Sequence, residues 1–265
     1  MNLFCWVSLL SSLCIHLSCG LVLPVESKLQ KRLINGREAQ LYEHPYQAAV
    51  VSNTKDFFLI CNGVLISPNQ FMTLSFCVVH DTASQLKVIL GWDSVNGPAN
   101  AFQQTLRVTR NKLPNKNEIK DGIAVLTLAT NVRLNKNIQI PRVDTWSSYI
   151  NTSCVTIGLG QTNADDPQML STLQTASLYV ISKEECISRW PEEAYYLRNP
   201  RYICAYDRLG RPGGQNAVCA NDEGAPLLCG QQKNVLIGLL LLQPQNCDGD
   251  QLSIYLSMHD YKKWL

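Results

Sequence analysis

Eleven cysteines punctuate the chain, and their placement constrains its fold more than any other feature. Three of them, Cys5, Cys14 and Cys19, lie in the apolar opening "MNLFCWVSLLSSLCIHLSCG". That stretch is too short and too interrupted for a comfortable bilayer span. It ends in small residues, which is the form of a secretory signal over residues 1–20, cut near Gly20, with a membrane anchor as the lesser alternative. Setting the three aside leaves 11 − 3 = 8, the even number that an oxidised, secreted protein requires. No CxxC or HxxxH spacing offers a metal site, so the cysteines read as a disulfide framework. Eight cysteines alone allow about a hundred connectivities.

The remainder has the composition of a globular protein. Of 265 residues, 46% are hydrophobic and 17% charged, enough for one large domain or two small ones. The formal charge is only +2, and basic residues are scattered, so nothing favours a nucleic-acid or membrane-surface partner. "VLIGLLLL" (Val235 to Leu242) is apolar but only of strand length.

After the signal, "LVLPVESKLQKR" reads as a short pro-segment over residues 21–32, ending in the basic pair Lys31-Arg32. From residue 33 onward, short apolar runs such as "YQAAVV", "NGVLIS", "LKVILGW", "IAVLTLA", "SCVTIGLG" and "TASLYVI" alternate with Gly, Asn, Pro and Asp clusters. That punctuation predicts an all-β barrel or sandwich. Helical spacing is found only at the end, "MHDYKKWL", with Met258, Tyr261 and Leu265 on one face. There is no internal sequence repeat.

Six stretches in order resemble the trypsin/chymotrypsin family of serine proteases. "KRLINGREAQLYEHPYQAAV" resembles an activation site followed by a mature N-terminus. "CNGVLISPNQFMTLSFCV" and "DGIAVLTLA" resemble the segments carrying the family's catalytic histidine and aspartate. "CVTIGLG" resembles the start of the second barrel, "CANDEGAPLLC" the serine loop, and "YKKWL" the C-terminal helix. The resemblance covers residues 33–265. It implies two six-stranded antiparallel Greek-key β-barrels, divided as roughly 33–145 and 146–265, packed together with a C-terminal α-helix. It also implies the pairs Cys61–Cys77, Cys154–Cys229, Cys186–Cys204 and Cys219–Cys247.

Carried across position by position, the resemblance places the histidine site on Phe76, the aspartate site on Gly122 and the serine site on Glu223. In the family these residues relay a proton during acyl transfer. Phe76 has no nitrogen, Gly122 has no side chain, and Glu223 is a carboxylate. Losing histidine and aspartate together avoids an unpaired interior charge. Asp121, next to Gly122, is expected to face away from the cleft by strand alternation. His44, His80 and His259 read as ordinary surface or packing residues.

The pocket base falls on Ala217 and the pocket wall on Leu241, Leu242 and Gln243, with Ser253 at a position where the family has glycine. Asn221 replaces the oxyanion-hole glycine, where main-chain freedom matters. Asp222 matches the acceptor of the new N-terminus, here Leu33, freed by an upstream trypsin-like protease cutting after Arg32. Asn151-Thr152-Ser153 is a glycosylation sequon in a surface connection.

The reading that follows is a secreted, monomeric, non-catalytic serine protease homologue similar to those of insect secretions. It needs no cofactor or metal, and it binds a protein partner as cofactor, decoy or regulator of proteolysis. A weakly active hydrolase is the alternative. A sulfated-glycan or lipid binder ranks last, because the chain lacks a basic patch.

Overall fold

A computed structural model describes residues 36–40, 42–52, 59–92, 101–144, 149–159, 172–209, 216–244, 247 and 251–258. Arg32, Leu33 and the expected C-terminal helix, together with His259, lie outside them.

Two closed barrels form the molecule. The first is built of β2 (Ala48–Ser52), β3 (Leu59–Ser67), β4 (Gln70–Leu74), β5 (Leu86–Leu90), β6 (Gln104–Lys112) and β7 (Ile123–Leu128), closed in the order β2-β3-β4-β7-β6-β5. The second uses β9 (Ser153–Gly158), β10 (Gln174–Val180), β11 (Tyr202–Tyr206), β12 (Pro226–Cys229), β13 (Val235–Leu242) and β14 (Ser253–Ser257). Its order is β9-β10-β11-β14-β13-β12, and the β10–β9 pairing closes it. Each barrel therefore winds first-second-third-sixth-fifth-fourth, a repetition of topology that the sequence does not carry. Closure leaves neither set of six strands with a free edge.

The halves are not cut cleanly at residue 145. β1 (Arg37–Glu38) pairs with β10, and β8 (Arg142–Val143) runs parallel to β13, so both ends of the first half are stitched onto the second barrel. Apolar runs become strands where closure buries the inward face and packing outside the barrel covers the other. β7, for example, buries Ile123, Ala124, Val125, Leu126 and Leu128. By contrast, β6 alternates buried Leu106 and Val108 with exposed polar neighbours, so composition alone hides it.

All four expected disulfides are present: Cys61–Cys77, Cys154–Cys229, Cys186–Cys204 and Cys219–Cys247. They are consistent with an extracellular location. No described helix is long and apolar enough to cross a membrane.

The expectation that helical structure is confined to the C-terminus is corrected. α1 (Lys183–Arg189) and α2 (Ala194–Leu197) stand between β10 and β11. Ser182 caps α1 by accepting from the Glu185 amide at 3.2 Å, Glu184 and Glu185 occupy the first turn, and Arg189 the last. That arrangement suits the helix dipole, and the Ser-x-x-Glu spacing was its readable signal. These helices matter because Tyr196 and Leu197 of α2, with Trp190 and Glu193 from the link between the two helices, form one wall of the cleft.

Candidate functional site

A cleft of about 620 Å³ lies between the barrels, with Phe76, Asp121, Tyr196, Tyr202, Glu223 and Leu242 among its walls. Phe76 sits in the 3-10 turn Ser75–Cys77 that follows β4, and the Cys61–Cys77 bridge anchors this turn. Leu241, Leu242 and Gln243 line the cleft from the end of β13. Ala217 and Ser253 are buried and do not line it. Of the positions that the resemblance assigns to catalysis, the fold thus brings Phe76 and Glu223 to one cavity.

Gly122 holds the neighbouring backbone. Its carbonyl accepts from the Ser75 amide at 2.9 Å, and the Ser75 hydroxyl donates to the Ile119 carbonyl at 2.7 Å. A Cβ on Gly122 would stand 2.4 Å from Glu118 O, 2.7 Å from Pro114 Cγ and 2.9 Å from Ser75 Oγ. Two of those neighbours are main chain or proline ring and cannot swing aside, so no side chain fits here without backbone movement.

Asp121 corrects the alternation argument. It lies just before β7 begins at Ile123, where period-2 reasoning does not apply, and its carboxylate reaches the cleft. There it accepts a hydrogen bond from the Tyr202 hydroxyl, while Arg201 Nη2 donates to its carbonyl at 3.2 Å. Burial first, and then the Asp121 carboxylate, push the Tyr202 phenol well above its ordinary range. The proton therefore stays on Tyr202, and Asp121 is its acceptor.

The loop carrying Glu223 is held from both sides. Asp222 is fully buried, and its Oδ2 accepts from the Cys219 amide at 3.0 Å. Its carboxylate packs onto Gly158 so closely that a Cβ there would lie 1.9 Å from Oδ1. Adjacent Glu223 is directed into the cleft instead. Gly224, at φ +80°, approaches the first barrel so tightly that a Cβ would lie 2.1 Å from Asn62 O. Glycine is the residue that meets both demands. Asn221 adopts φ +70°, a left-handed conformation that asparagine tolerates better than most residues, so the turn survives the side chain there.

Asn62 is the residue that sequence reading missed. Its backbone amide donates to Glu223 O at 2.8 Å, and its Nδ2 donates to Asn221 O at 3.0 Å and Glu223 O at 3.4 Å. Gln47 Nε2 in turn donates to Asn62 Oδ1 at 2.6 Å. Asn62 is separated from Asn221 by 159 positions, so no local pattern announces the brace.

The cleft is open, and its walls mix large apolar side chains with the charged Lys120, Asp121, Glu193 and Glu223. Phe76 is 36% exposed, Leu242 50% and Tyr196 59%, a cluster of large side chains that the chain itself leaves uncovered. No serine, threonine, cysteine or histidine is among the described residues lining the cleft. His80 is exposed on its loop, and His44 lines a different cavity. Asn151 is exposed and has φ +63°. Its Oδ1 accepts from Arg208 Nη1 at 2.8 Å. Among the described residues no group of three or more His, Cys, Asp or Glu is placed to hold a metal ion.

A sequence profile of the trypsin family, described as Trypsin, matches residues 33–265. Among curated proteins, the chain is similar to human Kallikrein-2, at 22% identity over 97% of this chain and 96% of that protein. It is similar to human Kallikrein-11 at 25% identity over 78% of this chain and 71% of that protein. Human Kallikrein-5 is 23% identical over 88% of this chain and 75% of its own length. The two closed barrels, the four bridges and a match running from residue 33 to the last residue agree: the chain belongs to the trypsin family.

Proposed function

We propose that this chain is a secreted, non-catalytic member of its family, with all three catalytic positions substituted, that acts by binding a protein through the cleft between its barrels. The partner is a protease, a protease substrate or an inhibitor, and the chain serves as cofactor, decoy or regulator of proteolysis. One observation carries this reading: the cleft exposes Phe76, Leu242 and Tyr196 and has no serine, threonine, cysteine or histidine among its described lining residues. Acyl transfer needs a nucleophile within hydrogen-bond reach of a general base, and exposed aromatic and aliphatic groups are instead the usual anchors of protein interfaces.

The same reading assigns Arg32–Leu33 as a cleavage site for an upstream trypsin-like protease, with Asp222 receiving the Leu33 ammonium, and Asn151 as a glycan acceptor. The buried Asp222 carboxylate and the exposed Asn151 side chain support these assignments. An intact Arg32–Leu33 bond in protein from its natural fluid counts against the first. An unmodified Asn151 in the same material counts against the second.

A second reading, a weakly active hydrolase, draws on Asp121 and Glu223, two of the three carboxylates that line the cleft with Glu193. Peptide-library turnover by the chain cut after Arg32, compared with Glu223→Ala, separates the two. Equal background rates, together with crosslinked capture of a protein from the native secretion that Leu242→Asp abolishes, support binding. Turnover that disappears with Glu223 overturns it.

A further inference from the structure

The strands that close the two barrels carry four charged residues, all basic and all on β5 and β6: Lys87, Arg107, Arg110 and Lys112. Antiparallel pairing sets Lys87 directly opposite Arg107, and Arg110 and Lys112 follow along β6. Arg107, Arg110 and Lys112 are exposed, and Lys87 is half-buried. Bases that read as scattered in the sequence thus gather into one cationic strip, roughly 15 Å long. Like charges directly opposite each other cost a sheet stability. Among the described residues no carboxylate comes within ion-pairing distance of Lys87, Arg107 or Arg110 to offset that cost.

Beside the strip opens a shallow hollow of about 460 Å³, lined by Ser84, Arg107, Val108, Thr109 and Ala129. Ser84, Arg107 and Thr109 are exposed on its rim. β6 buries its apolar Leu106 and Val108, and none of the large hydrophobic side chains exposed among the described residues lies on β5 or β6. A protein partner would therefore find no aromatic or aliphatic anchor here. Closure of the barrel denies it a strand edge to extend. A membrane would receive no apolar side chain to insert. What the surface offers is positive charge in a line.

We propose that this strip binds a sulfated glycosaminoglycan chain. Such a chain is linear and carries sulfates along its length, and a guanidinium meets each as it meets a phosphate, with two parallel N–H donors. Arg107 and Arg110 make the principal contacts, Lys87 and Lys112 add point charge, and the hollow seats one sugar ring against Arg107. The chain's formal charge is only +2, so binding depends on where the cations lie rather than on their sum. The strip shares no residue with the cleft, so this inference stands apart from the cleft's protein-binding role.

Calorimetric titration of the full chain with heparin fragments tests it. Saturable binding that weakens as salt is raised is expected, since exposed charges are screened. Arg107→Ser combined with Arg110→Ser should weaken it about tenfold or more. The control pair Arg142→Ser and Arg198→Ser removes the same net charge from exposed arginines off the strip, and should leave the affinity at the parent's value. Fragments stripped of sulfate should not bind. Each variant is checked for an unchanged disulfide pattern and cooperative unfolding, and if the strip pair does not fold, Arg110→Ser alone decides. Absence of saturable binding overturns the proposal. So does an equal loss in the control pair, or undiminished binding of desulfated fragments. Tighter binding of polyglutamate, duplex DNA or phosphatidylserine vesicles than of heparin overturns it as well, since each names a different partner. Capture of a protein by the cleft is read out separately and is indifferent to each of these outcomes.

Discussion

Asn62 on β3 donates its side-chain amide to the carbonyl of Asn221, 3.0 Å away on the loop that presents Glu223. One barrel thereby fixes the main chain of the other, and Gln47 fixes the fixer. Asn62 is wholly buried, so the bond it accepts from Gln47 is shielded from water, and the one it gives to Asn221 is partly shielded.

Removing the brace should therefore be costly. Asn62→Ala leaves Asn221 O without its amide donor and the Gln47 amide without its acceptor. A loss of about 1–3 kcal/mol is expected, or a fall in Tm of roughly 2–10 °C for a chain of this size. Chemical denaturation of the oxidised protein measures it. Stability indistinguishable from the parent would show that the brace is incidental.

Acid stability should fall in two separable steps. His44 has a folded-state pKa of about 4, below the 6.5 of an exposed histidine, because burial disfavours its charged form. The unfolded chain then takes up the proton first, so stability is full above pH 6.5 and declines as pH falls toward 4. The decline is on the order of 2–3 kcal/mol. Glu43, held at about 2 chiefly by its hydrogen bond from Arg37, keeps its contribution until pH drops below 4.5 and loses it toward 2. His44→Phe should flatten the upper window and leave the lower one. A titration of stability that stays level from pH 6.5 to 4 in the parent would refute the assignment.

How much of this was legible beforehand depends on whether a feature is local. The barrel strands with apolar runs, such as β7 and β13, announce themselves, because burial on closure demands Val, Ile and Leu. β6 does not, because only Leu106 and Val108 of its nine residues are buried. The capping pair Ser182 and Glu185 could have revealed α1. The inward turn of Asp121 was misjudged because a strand period was applied two residues before the strand starts. The contacts of Asn62 and Tyr202 join distant segments, and no single-sequence pattern encodes those.

Rebuilding a proton relay in the cleft should fail on steric grounds. The variant Phe76→His, Gly122→Asp, Glu223→Ser puts a Cβ 2.4 Å from Glu118 O, and main chain must move to admit it. A cost of about 1–3 kcal/mol is expected from overpacking alone, with no turnover of a peptide library above the parent. The single variant Gly122→Asp should carry most of the destabilisation, and Phe76→His little, since Phe76 is partly exposed. Vigorous peptidase activity in the triple variant would mean that the packing around Gly122 is softer than its neighbours imply.

The Tyr202–Asp121 bond decides how free the second cleft carboxylate is. Asp121 Oδ2 is occupied by the Tyr202 hydroxyl, a charge-assisted bond that is only partly buried. That bond takes one of the two carboxylate oxygens and fixes the orientation of Asp121, which leaves Oδ1 alone to serve with Glu223 in acid–base work. Tyr202→Phe should cost about 0.5–1.5 kcal/mol, and a cycle with Asp121→Ala should show that the two losses are not additive, since both remove the same bond. If Tyr202→Phe instead raises hydrolysis and Glu223→Ala abolishes the gain, the tyrosine is a brake on a latent two-carboxylate hydrolase. The binding role would then have to give way to it.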